Sequence, residues 1–194
     1  MAAIDPIRFK REFWPHIDFY AKQEEIIYSV KENVETYVPA GNKLGKDFVA
    51  GFVALETFLT APADVRVLTT SVKDDHLRVL WGEIGRWIET SVMPLRVEDG
   101  GLLVVKHRDL RLVRNGREDR FSYCIGEVCA RAEAMAGHHA DTTLAIIDEA
   151  SGVDESVYDQ IRTWAKRILI LGNPNPTSNF FRRGVEAGDM LNPA

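Results

Sequence analysis

Residues 38–52 read VPAGNKLGKDFVAGF, a glycine-lysine loop that departs at two positions from the phosphate-binding pattern G-x-x-x-x-G-K-[ST]. Ala40 stands at the first glycine and Asp47 at the closing Ser/Thr. The letters before the loop, ETYVPA, suit a short strand. Those after it, KDFVAGFVALETFLTA, are apolar nearly all round (Phe48, Val49, Phe52, Val53, Leu55, Phe58, Leu59), as in a helix buried against a sheet. A strand running through a glycine loop into a helix aims backbone N–H groups and the positive helix end at one point, where a polyphosphate is held. Gly41 and Gly45 can take the positive φ such a nest needs, and Lys46 has the offset that reaches the outer phosphates. A tight strand-to-helix turn with an exposed lysine fits the same letters, so the rest of the chain must decide. On either reading Lys46 is expected at the surface, where its removal costs little stability.

Three further blocks bear on the choice. TTLAIIDEASG (142–152) is an apolar strand ending in Asp148 and Glu149. Adjacent carboxylates beside a buried run are costly unless a cation is held there. Magnesium is the expected ion, with Asp148 holding it directly or through water and Glu149 deprotonating the attacking water; an ordinary strand end remains the alternative. RILILGNPNPTSNFF (167–181) is a second buried strand whose tip presents Asn173 after Gly172. Ligands of open α/β sheets bind beyond such tips, which places Asn173 to sense the γ-phosphate or the water, though Asn is equally a turn former. Upstream, the Gln23 carboxamide can bond N6 and N7 of adenine and Tyr20 offers a stacking face, while a helix-surface Gln is the plainer reading. Asp47 can ligate magnesium but repels phosphate, and in the first turn of a helix it is expected to be stabilising.

The remaining chain reads as the frame for these blocks. Its 194 residues suit one domain, and 45% hydrophobic with 27% charged residues is ordinary for a globular protein. A net charge of -5 means that nucleic acid would need a local basic stripe. KHRDLRLVRNGREDR (106–120) offers Lys106, Arg108, Arg111, Arg114, Arg117 and Arg120, interspersed with acids. Cys124 and Cys129 lack disulfide or zinc spacing. No signal peptide or 18-residue apolar stretch is present, so a soluble intracellular protein is expected. Helical spacing marks Ile26, Ile27 and Val30, then Leu77, Leu80, Trp81, Ile84, Trp87 and Ile88 with an end at Pro94, then about Asp154 to Trp164, and a last helix from about Asn179. From Gly100 to Gly126 the period is two, with Asn115-Gly116 as a hairpin signal, a β-excursion. Strands near 35, 65, 143 and 167 separated by helices predict an α/β fold, a mostly parallel central sheet with helices on both faces.

In this order the blocks YAKQEEII, AGNKLGKD, VLTTSVKDDHLRVLWGEI, GHHADTTLAIIDEASGV and LILGNPNPTSNFF resemble the ATPase domain of the large terminase subunit of tailed bacteriophages, which pumps DNA into a procapsid. The resemblance implies a P-loop NTPase of the ASCE type with a β-hairpin excursion before the Walker B strand, using ATP and Mg2+. It implies nucleotide contacts from Gln23, Tyr20, Ala40, Gly41, Asn42, Lys43, Leu44, Gly45, Lys46 and Asp47, with Lys43 as the basic residue inside a deviant loop. It makes Lys46 and Glu149 catalytic, Asp47 and Asp148 the metal site, and Gly172-Asn173 the coupling motif. Arg131, in CARAEAMAGHH, is the candidate arginine acting across a subunit boundary. The implied partners are double-stranded DNA, a homo-oligomeric ring on a portal and the small terminase subunit, in the host cell cytoplasm, with no membrane. Residues 1–194 are expected to be the ATPase domain alone, without the family's C-terminal nuclease. A helicase-type translocating ATPase shares the loop and the Asp-Glu pair. A degenerate module that binds DNA or portal without hydrolysis is supported by Ala40 and Asp47.

Overall fold

The apolar runs form β1 (Glu35–Pro39), β2 (Val65–Ser71), β3 (Leu103–Lys106), β4 (Asp109–Arg114), β5 (Arg117–Val128), β6 (Thr142–Asp148) and β7 (Arg167–Gly172). They make one seven-stranded sheet in the order β1-β7-β6-β2-β5-β4-β3. The computed structural model describes residues 4–41, 45–129, 132–173 and 179–191; the expectations for Asn42, Lys43, Leu44 and Arg131 fall outside these. The helices are α1 (Pro6–Phe13), α2 (Ala21–Glu32), α3 (Lys46–Thr60), α4 (Asp74–Thr90), α5 (Glu155–Arg162) and α6 (Phe180–Leu191). Among the described residues no helix is long and apolar enough to cross a membrane.

Strands β1, β7, β6, β2 and β5 pair in parallel, and β4 and β3 continue the sheet antiparallel. Strand β7 thus separates the loop strand β1 from the Asp-Glu strand β6. The β-excursion is continuous with this sheet, because the second half of β5 lies in register with β2 from Arg66↔Tyr123 to Ser71↔Val128. Asn115 (φ 51°) and Gly116 (φ 73°) make the expected two-residue turn between β4 and β5.

Alternation assigns the strand faces. Val65, Val67, Leu144, Ile146, Leu169 and Leu171 join the core beneath α2, α3 and α4, whereas Leu68, Ala145, Ile147, Ile168 and Ile170 join the core beneath α5 and α6. Because both faces of β6 and β7 are covered, the runs Leu144–Ile147 and Ile168–Leu171 are apolar without interruption. Helix α1 was not foreshadowed by periodicity. It begins at Asp5, whose Oδ1 accepts the Arg8 N–H at 2.7 Å, with Pro6 in the first turn. It delivers Trp14 into the α3–α4 packing, where Trp14 Nε1 donates to the Trp87 carbonyl at 2.7 Å.

Candidate active site

The loop residues gather at the carboxyl ends of the parallel strands. The Ala40 N–H donates to the Gly172 carbonyl at 2.9 Å, so the loop begins hydrogen-bonded to the tip of β7, one residue from Asn173. Gly172 is tightly held: a Cβ there would lie 3.0 Å from the Phe181 ring. Gly45 caps α3 with φ +73°, and a Cβ on it would lie 3.2 Å from Gln23 Nε2 and 3.6 Å from the Tyr20 hydroxyl. Gln23 is buried, at 6% exposure. Its Oε1 accepts the Tyr20 N–H at 3.3 Å as half of a capping box, which orients the amide nitrogen toward the loop glycine. Burial beside the loop replaces the helix-surface reading of Gln23.

Lys46 is not a surface lysine. It is 7% exposed, and its Nζ donates to Asp148 Oδ1 at 2.8 Å and Glu149 Oε1 at 2.5 Å. The helix start and the β6 tip, 102 residues apart, are joined by this contact. Burial works against the Lys46 ammonium, and the hydrogen bonds and field of Asp148, helped by Glu149, outweigh it, leaving its pKa above the usual lysine value. Glu149 has φ +52°, a conformation that strains a residue with a side chain and that concentrates at functional positions.

Asp47 behaves contrary to the helix-dipole expectation. Burial first, then the Asp148 carboxylate, pushes its carboxyl up to about 6; Lys46 offsets part of this, and Glu149 and Glu83 add to it. Its Oδ1 is buried without a hydrogen-bond partner. A raised carboxyl pKa means that the folded chain holds a proton which the unfolded chain releases, so this contribution to stability is full below about pH 4 and is lost as pH rises through about 6. Asp47→Asn, in chelator, should therefore melt roughly 3 °C higher than the parent at pH 8, which is about 1 kcal/mol for a chain of this size after allowing for partial exposure. The gap should close by pH 4 in thermal melts; an equal gap at both pH values would refute the assignment.

Three residues of this site carry no local sequence signal. Ser71 ends β2 in register with Asp148, is fully buried, and its Oγ has no partner. His76, in the first turn of α4, brings a ring nitrogen and one oxygen each of Asp148 and Glu149 within 4.8 Å of one another. Asn179 donates to the Ala150 and Ser151 carbonyls at 3.1 and 3.0 Å, tying the start of α6 to the turn after Glu149. The His76 nitrogen and the Asp148 and Glu149 oxygens, within 4.8 Å of one another, are a donor set that fits a divalent cation, and buried oxygens without partners at Asp47 and Ser71 lie on the adjoining elements.

Four of the six basic residues of the 106–120 run are paired with acids. Lys106 pairs with Glu118, Arg108 with Asp74, Arg111 with Asp109 and Arg114 with Asp119, at 2.8, 2.6, 2.5 and 3.2 Å. His138 is a packing residue, its Nδ1 2.7 Å from the Tyr123 hydroxyl, with burial first among the causes that lower its pKa.

A glycine loop between strand and helix, its lysine on an acidic pair at the tip of the second strand along, and an inserted strand between them define a P-loop NTPase fold. The chain is similar to a probable terminase large subunit of Enterobacteria phage P7, at 26% identity over 204 residues, covering 93% of this chain and 36% of that protein. It thus spans about a third of that relative's length. The large terminase ATPase domain of Thermus phage P74-26 superimposes with a TM-score of 0.61 at 15% identity over 94% of this chain and 74% of that one. A point variant of that domain gives 0.65, and the HK97 bacteriophage large terminase 0.61 at 14% identity over 96% of this chain and 40% of that one. No protein-family model matches the chain. The fold is that of phage large-terminase ATPase domains, and the resemblance drawn from the sequence blocks is met in both comparisons.

Proposed function

We propose that residues 1–194 are a magnesium-dependent ATPase domain that powers double-stranded DNA movement into a phage procapsid. The observation that carries this reading is the contact of Lys46 with Asp148 and Glu149, which brings the loop lysine, the metal-site acid and the catalytic carboxylate to one point. ATP is read by Gln23, with Tyr20 against its base. Its phosphates lie in the loop from Ala40 through Gly41, Asn42, Lys43, Leu44 and Gly45 to Lys46. Asp148 and Asp47 hold the ion; magnesium bound there neutralises charge on the transferring phosphoryl group. Glu149 takes a proton from the attacking water. Gly172 and Asn173 report the state of the γ-phosphate to the loop through the Ala40–Gly172 hydrogen bond. Arg131 acts on a neighbouring subunit of a ring assembled on a portal, with the small terminase subunit as a further partner in the host cytoplasm.

The buried, partnerless oxygen of Asp47 favours a second reading, a module that binds DNA or portal without hydrolysis, since a carboxylate there repels phosphate. Phosphate release from ATP, with magnesium and with chelator, separates the two. Magnesium-dependent release that rises with DNA is the expected result. Nucleotide binding without turnover, at protein concentrations where assembly is shown, would select the second reading.

A further inference from the structure

His76 and Ser71 have no place in that scheme. Neither ring nitrogen of His76 has a hydrogen-bond partner among the described residues, yet one of them converges with Asp148 and Glu149 oxygens. Ser71 adds a buried hydroxyl without a partner. Its direction follows from alternation: Val65 and Val67 of β2, with Leu144 and Ile146 of β6, face the α3–α4 side, so Ser71 and its register partner Asp148 face it too. Thr69 bears this out, accepting from Trp81 Nε1 of α4 at 2.9 Å. An imidazole nitrogen and two carboxylate oxygens therefore converge between the tip of β6 and the first turn of α4, with the Ser71 hydroxyl on the same face at the tip of β2.

Oxygen donors alone select magnesium, whereas an imidazole nitrogen shifts preference toward borderline first-row ions. We propose that His76 is a direct ligand of the divalent ion at Asp148, so that this site takes ions such as Co2+ or Zn2+ more tightly than an all-oxygen site would. Lys46 and the ion compete for the Asp148 carboxylate. The inference rests on the nucleotide reading in one respect: in the unaltered chain it is the phosphates that draw Lys46 away. Ion and nucleotide binding are then mutually favourable. Replacing Lys46 with an uncharged side chain of similar length frees the carboxylates without nucleotide.

The test is Co2+ titration of Lys46→Met by visible absorption, with pulsed electron paramagnetic resonance of bound Mn2+ as a reporter of nitrogen coupling, repeated on Lys46→Met/His76→Gln. His76→Gln should weaken Co2+ binding ~10-fold or more, change Mg2+ binding far less, and abolish the imidazole nitrogen coupling. If Lys46→Met does not fold, the same measurements on the unaltered chain and on His76→Gln, with a non-hydrolysable ATP analogue, serve instead. Bound metal without nitrogen coupling, equal Co2+ affinity in both variants, or no ion binding in either arm overturns the proposal. Nitrogen coupling in Lys46→Met, with no effect of the ATP analogue on ion uptake by the unaltered chain, would uphold the ion site and count against the nucleotide reading.

Discussion

Glu149→Gln should lower the rate of phosphate release ~10²-fold or more while nucleotide affinity is retained. The substitution preserves the size of the side chain and an oxygen that still accepts from Lys46, so the contact at the β6 tip survives. What it removes is the group able to take a proton from water. The strained backbone at Glu149, φ +52°, is present in both proteins, so the comparison isolates the carboxylate. Turnover at saturating ATP and nucleotide affinity by calorimetry are the two measurements needed. If affinity falls in step with rate, Glu149 belongs to the ion's ligands and the base must be sought elsewhere.

Lys46→Ala should do two things at once: end hydrolysis and lower the stability of the fold by about 3–5 kcal/mol, the usual consequence of removing one partner of a buried ion pair. An exposed lysine would leave stability nearly unchanged. This one is buried against Asp148, itself 2% exposed, and against Glu149, with Asp47 adding a third acid nearby. Its loss leaves that cluster without the ammonium that touches two of its members. Chemical denaturation at neutral pH in chelator reads the effect directly. A loss below about 1 kcal/mol, the range of surface pairs, would show that Lys46 does not bridge these carboxylates in solution. Restoration of stability to Lys46→Met by a divalent ion would follow from the same competition, since the ion supplies the missing charge.

Much of the frame was legible in the chain because its signals are local. Periodicity placed β2, β6, β7, α3 and α4. The Asn115-Gly116 pair placed its turn because positive φ at two successive positions is a property of those two residues. The glycine-lysine loop and the Asp148-Glu149 tip were read from their flanking strands for the same reason. Helix α1 carries a helix-start signal in Asp5-Pro6 that the reading of periodicity did not use. Local signals in the chain were thus enough for most of the elements, their order and the residue types at two strand tips. Tertiary structure alone decided the rest: that β7 inserts between β1 and β6, that β5 runs parallel to β2, that Gln23 is buried beside Gly45, and that Lys46 lies on carboxylates 102 residues away. It also turned Asp47 from a favourable helix-start residue into one whose carboxyl is pushed up to about 6, and brought Ser71 and His76 to the acidic pair. The physical reason is common to all of these. Dihedral preference and hydrophobic period act over a few residues, whereas strand register, desolvation and the field at a charge depend on which distant segments pack together.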